Sequence, residues 1–225
     1  MKYLLDTANL AEIRRFYDIF PISGVTSNPS IVKREGKIDF FNHMKEIRSI
    51  IGIDKPLHIQ VTASDTDGML RDADTLLNRV DTEVYVKIPV TMEGIKTIKL
   101  LKAQNIHVTA TAVYSKQQGF LAMEAGADCI APYFNRMENM GINSDDVIAS
   151  LAEMIELYHY NTEILAASFK NAGQVDRAFL AGAQTATMDP SILEAALTFS
   201  HITDAVDAFE QDWKSIYGDK TLSDL

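Results

Sequence analysis

The chain has 225 residues, with 21 Lys and Arg against 31 Asp and Glu, a net charge of −10. Hydrophobic residues make up 47% and charged residues 23%, which supplies a sizeable core and argues against disorder. The acidic balance argues against a nucleic-acid or anionic-membrane surface, since those partners need clustered Lys and Arg, but leaves room for a small anionic substrate held by two or three local cations. The one cysteine, Cys129, cannot form an internal disulfide, so a reducing cytoplasm is the expected compartment. The N-terminal apolar run breaks at Asp6, too early for a signal-peptide core, and no stretch approaches the ~20 apolar residues of a membrane span.

In chain order, short β-branched runs alternate with amphipathic segments. The runs are Tyr3 to Leu5, Ile22 to Val25, Leu57 to Val61, Val84 to Ile88, His107 to Ala112, Cys129 to Ala131, Glu163 to Ala167 and Thr185 to Thr187. Helical spacing is predicted over 9–20, 65–79, 93–104, 115–125, 144–158 and 171–181. Asn9, Asp65, Thr91, Ser115 and Asp189 stand near predicted helix starts as capping side chains, and Gly126 and Gly182 stand where left-handed C-terminal caps are expected. Eight strands each followed by a helix, at roughly 28 residues per unit, is the pattern of a single (β/α)8 TIM barrel, here over residues 1–201. A doubly wound open sheet is the alternative, but Asp6-Thr7-Ala8-Asn9 lacks the Gly-rich turn that such a fold usually places after its first strand.

Residues 202–225 exceed the eight units. Ile202, Ala205, Val206, Phe209, Trp213, Ile216 and Tyr217 form one helical stripe. It can close one end of its own barrel or dock on a neighbouring subunit.

Barrel chemistry sits at the C-terminal ends of the strands. Those positions carry Asp6, Thr26 with Asn28, Gln60, Lys87, Thr111, Tyr133 with Arg136, and Ser168 with Lys170. Strand alternation places Tyr85 and Lys87 on one face, so Lys87 is predicted to point into the barrel when Val86 and Ile88 face the helices. Burial there lowers the amine pKa, and a neutral amine is the nucleophile for a Schiff base with a carbonyl substrate. The other reading is an interior lysine paired with a carboxylate, for which Asp6 is the available partner. Arg136, Ser168 and Lys170 suit a phosphate monoester. The spacings of His43, His58, His107, His159 and His201 match no metal motif, so His58 and His107 are read as inward packing residues and no metal is expected. Cys129 is read as a small buried hydrophobe, and Lys96, Lys99 and Lys102 as a solvated helix face.

With these residues in place, the sequence resembles the transaldolase family, and within it the small fructose-6-phosphate aldolase branch. The resemblance rests on Leu5-Asp6-Thr7, Gly24 to Ile31 with its Thr-Ser-Asn-Pro-Ser core, Val86-Lys87-Ile88-Pro89-Val90-Thr91 with Glu93-Gly94, Thr111 to Tyr114, Ala131 to Arg136, Ala166 to Lys170 and Phe209 to Trp213. It implies a class I aldolase, or a transaldolase, with no cofactor beyond a covalent Schiff base on Lys87. Asp6 would orient the donor, Thr26 and Asn28 would complete the donor pocket, Ala131 would be a further substrate-binding residue, and Ser168 would serve the donor pocket or the phosphate with Arg136. Lys170 would stand near that phosphate. Gln60 and Tyr133 match the aldolase branch, where transaldolases resemble one another in carrying Glu and Phe. Tyr133, with a water held by Gln60 and Thr111, would then move protons. The implied partners are a small ketone, an aldehyde or sugar phosphate, and further copies of the chain in a decamer of two pentamers. A non-catalytic sugar-phosphate-binding barrel is the alternative from another class.

Overall fold

The computed structural model describes residues 1–225. Its strands are β1 (Lys2–Asp6), β2 (Ile22–Thr26), β3 (Leu57–Gln60), β4 (Val84–Pro89), β5 (Val108–Val113), β6 (Cys129–Pro132), β7 (Glu163–Ala166) and β8 (Thr185–Met188). Each pairs in parallel with the next, and β8 returns to β1, so the sheet closes into an eight-stranded barrel. The helices are α1 (Leu10–Ile19), α2 (Pro29–Arg34), α3 (Phe40–Ile51), α4 (Thr66–Arg79), α5 (Met92–Lys102), α6 (Lys116–Glu124), α7 (Phe134–Asn139), α8 (Ser144–Tyr158), α9 (Ala172–Leu180), α10 (Pro190–Ala195) and α11 (Ser200–Tyr217).

Strand alternation divides the apolar side chains into two sets. Val86 and Ile88 join Ile98 and Leu101 of α5 in a core of 44 buried residues between sheet and helices. Leu4, Cys129 and Leu165 form a separate cluster, with Tyr85 packed against it, on the opposite strand faces. Burial pushes the Cys129 thiol up to about 12, so it is a packing group with little thiolate.

The five predicted caps all accept a backbone N–H: Asn9 from Glu12, Asp65 from Gly68, Thr91 from Gly94, Ser115 from Gln118 and Asp189 from Ser191. Each is worth about 1 kcal/mol. Gly126 and Gly182 take φ values of 91° and 105°, the left-handed region that a side chain would disfavour.

Four helices lie outside the spans predicted from periodicity: α2, α3, α7 and α10. Three are only six residues long, too short to show a period, and α7 also lacks a side-chain cap. The solvated face predicted on α5 is only partly so. Lys102 is half-buried, and its ammonium donates to both oxygens of Asp128 at 2.8 and 2.7 Å and to Ile106 O, tying α5 to the loop before β6. The C-terminal helix α11 buries none of its residues; Ile202, Val206, Phe209 and Ile216 are all exposed. It does not close its own barrel. No helix is long and apolar enough to cross a membrane.

Candidate active site

Lys87 sits in the middle of β4 and is only 4% exposed. Its position is fixed from both sides. Its strand pairs through Gln60↔Lys87 on β3 and Lys87↔Thr109 on β5, and α5 starts hard against the end of β4. A Cβ on Gly94 would lie 1.9 Å from Pro89 O, so only glycine permits that approach. The Lys87 amine donates to Ser27 O at 3.0 Å, and no carboxylate oxygen lies within 4.0 Å of it. The simple ion pair with Asp6 is therefore absent. Burial holds the Lys87 amine below its ordinary value, and the charge of Asp6 opposes that only in part. Asp6 moves the other way: burial raises it, against the Lys87 charge and a hydrogen bond from Thr26. The Lys87 shift favours the neutral amine that a nucleophile requires, while the Asp6 carboxylate remains the charge that acts on it.

Asp6 and Thr26 end adjacent strands and are register partners. Thr26 Oγ1 donates to Asp6 Oδ1 at 2.6 Å and lies 2.7 Å from Thr187 Oγ1. Asn28 is held differently. Its Oδ1 caps α2 by accepting from Ser30 and Ile31, which leaves its amide NH2 as the group able to face a ligand.

On the other side, Thr111 Oγ1 and Tyr133 Oη are 2.9 Å apart. The β5–β6 register shifts between Ala110 and Val113, and Ala112 adopts φ 58°. This is an irregularity of the kind that re-aims neighbouring side chains at barrel rims. The Tyr133 ring is set edge-on to Tyr114 at 5.5 Å, with the Arg136 guanidinium 4.8 Å above its face. Burial raises the Tyr133 phenol above its ordinary value, opposed by the Thr111 hydrogen bond and the Arg136 charge, so it stays protonated at neutral pH. Gln60 Oε1 is buried without a hydrogen-bond partner, and such an atom calls for a water or ligand. Ala131, 2% exposed on β6, offers only a methyl to this space.

The phosphate candidates lie on two loops that are tied together. Phe134 N donates to Ala167 O and Asn135 N to Ser168 O, so the start of α7 is bound to the end of β7. Arg136 and Ser168 are thereby held near one another, with Ser168 at φ 64°. Arg136 donates to Tyr114 Oη at 3.3 Å. Lys170 is exposed; its backbone N–H donates to Gln174, and its ammonium belongs to none of the ion pairs.

Three participants escape the strand-end reading: Ser27, through its carbonyl; Tyr114, which sets Tyr133 and Arg136; and Thr187. The strand-end series stops at the seventh strand, whereas Thr187 on β8 continues it. Deeper in the barrel, His58 Nδ1 lies 2.8 Å from Thr109 Oγ1. Burial, with the Lys87 charge, keeps that imidazole far below its ordinary value and neutral. The Tyr85 ring is 4.8 Å from His58 and 4.6 Å from His107. No three His, Cys, Asp or Glu side chains converge as a metal site.

A closed parallel barrel with a buried lysine among hydroxyl, amide and carboxylate groups near the C-terminal ends of its strands places ionisable side chains where barrel enzymes carry their active sites. The model of the transaldolase/fructose-6-phosphate aldolase family matches residues 3–220, and the chain belongs to that family. It is 45% identical over 222 residues to a protein of Streptococcus pneumoniae (strain ATCC 700669 / Spain 23F-1) described as a probable fructose-6-phosphate aldolase, covering 99% of this chain and 100% of the relative.

Proposed function

We propose that the protein is a class I aldolase that joins and cleaves a dihydroxyacetone-type ketone and an aldehyde such as glyceraldehyde 3-phosphate, with Lys87 as the Schiff-base nucleophile. The observation that carries this reading is the Lys87 amine: buried, free of any carboxylate within ion-pair distance, and bonded to one backbone carbonyl.

In this reading the neutral amine adds to the donor ketone, and the carbinolamine loses water to a protonated imine. The imine then serves as the electron sink for loss of a proton and formation of an enamine. Asp6 and Thr26 hold the donor hydroxyls, with the Asn28 amide and Ala131 closing that pocket. The enamine carbon attacks the aldehyde, and the developing alkoxide takes a proton from Tyr133, whose phenol is held by Thr111. A water on Gln60 Oε1 relays protons to and from the enamine carbon. Hydrolysis of the product imine frees Lys87. Arg136 and Ser168 receive the phosphate, with exposed Lys170 contributing long-range attraction. The covalent imine makes a metal or organic cofactor unnecessary.

The family also includes transaldolases, which pass the dihydroxyacetone unit to a second aldose. Tyr133 and Gln60 support the aldolase, because a phenol and a held water supply the proton traffic that releasing a free ketone requires. A coupled assay for free dihydroxyacetone from fructose 6-phosphate separates the two. Release supports the aldolase; rapid transfer to erythrose 4-phosphate without release overturns it. We further propose that α11 covers its exposed stripe against another copy of the chain in a cytoplasmic homo-oligomer.

A further inference from the structure

We infer that Thr187, on β8, is a positioning residue for the donor pocket: its hydroxyl donates to Thr26 and thereby fixes which way the Thr26 proton points, onto Asp6. The inference rests on the proposed role of Asp6 and Thr26 in holding the donor.

Thr26 has one hydroxyl hydrogen and two close oxygens, Asp6 Oδ1 at 2.6 Å and Thr187 Oγ1 at 2.7 Å. An ionised carboxylate only accepts, so the Thr26 hydrogen is committed to Asp6. The bond at 2.7 Å must then be donated by Thr187 into a Thr26 lone pair, and the order is Thr187 to Thr26 to Asp6. Thr187 is 1% exposed, Thr26 is fully buried, and the Thr187 side chain has no other polar partner. A buried hydroxyl without a partner is costly, and this chain of bonds satisfies the Thr187 hydroxyl. Thr187 is register-paired with Leu4, two residues before Asp6 on β1, so β8 backs the same wall of the pocket. Chained hydrogen bonds polarise one another. The Thr187 bond therefore makes Thr26 a better donor to a carboxylate and restricts its rotamer.

The test compares Thr187→Val, which removes the hydroxyl at nearly constant volume, with Thr187→Ser, which keeps it. Two readouts apply: the titration midpoint of the Asp6 carboxyl, followed by 13C NMR on the full-length protein, and the pH profile of kcat/KM for ketose cleavage. The charged groups facing Asp6 are Lys87 from β4, Arg34 from α2 and Asp189 at the start of α10, and none changes in these variants. Expected for Thr187→Val are an Asp6 midpoint raised by ~0.3–0.7 unit and a kcat/KM lowered by ~2–5-fold at the pH optimum, with the acid limb displaced upward by the same amount. Thr187→Ser should restore wild-type behaviour in both. In a Thr26→Val background, Thr187→Val should add no further loss, because its path to Asp6 is gone. Should Thr187→Val fail to fold, Thr187→Ala must show the same midpoint shift. An Asp6 midpoint and pH profile unchanged in the valine or alanine variant would overturn the inference. Borohydride trapping of the wild type keeps the two readings apart. Absence of a Lys87 adduct defeats the Schiff-base proposal, whereas the Asp6 titration judges Thr187 without reference to turnover.

Discussion

Replacing Tyr133 with Phe removes one oxygen and leaves the ring where it is. The ring is placed by Tyr114 at 5.5 Å and by the Arg136 guanidinium at 4.8 Å, neither of which uses the hydroxyl. What disappears is the 2.9 Å bond to Thr111 and the proton it orients. A neutral hydrogen bond contributes about 1 kcal/mol to stability, so the melting temperature of a chain this size should fall by roughly 2–4 °C. A positioned acid–base group contributes about 10²- to 10⁴-fold in rate, or about 2.7–5.4 kcal/mol of barrier. The catalytic effect should therefore exceed the stability effect severalfold. Turnover of the Tyr133→Phe variant, measured by coupled release of the ketone, should drop at least about 100-fold, while borohydride trapping at Lys87 persists, since amine addition does not use the phenol. Turnover within threefold of wild type, or loss of trapping together with turnover, would refute the reasoning.

Asp6→Asn removes the charge that holds the Lys87 amine up against burial. The amine should then lose its proton at lower pH, and the pH at which trapping is half-maximal should move downward from the wild-type value, itself below the ordinary 10.5. An upward move contradicts the electrostatics. Arg136→Ala should raise KM for a phosphorylated aldehyde by about tenfold, and much less for its unphosphorylated analogue, as loss of a charge-assisted bond predicts. Lys170→Ala should change the same KM by no more than about threefold, because an exposed charge is screened; equal effects would assign the phosphate differently. A chain ending before Ile202 should sediment as a smaller species and melt at lower temperature. An unchanged sedimentation coefficient would remove α11 from the assembly.

The barrel was legible because its strands follow a period of two against helices of period 3.6, and the caps Asn9, Asp65, Thr91, Ser115 and Asp189 marked where one gave way to the other. Lys87 was legible for the same reason: alternation alone opposes it to Val86 and Ile88. What pattern cannot carry is the pairing of side chains across strands. The contact of Thr26 with Thr187 spans 161 residues, and that of Thr111 with Tyr133 depends on a register shift in β5. Asn28 was visible as a polar residue at a strand end, but its carbonyl oxygen is consumed in capping α2, a use that only the backbone path reveals. Helix α3 presents Met44, Ile47 and Ile51 to the core, a stripe of ordinary spacing that the alternating-unit reading left without a span.

Every proposed step begins at the amine of Lys87. The direct measurement is reduction with borohydride in the presence of dihydroxyacetone, followed by peptide mass mapping of the intact 225-residue chain. A mass increment on the peptide containing Lys87, absent without the ketone and absent in Lys87→Met, is the predicted result. An unmodified Lys87 under conditions where ketose cleavage proceeds would contradict it.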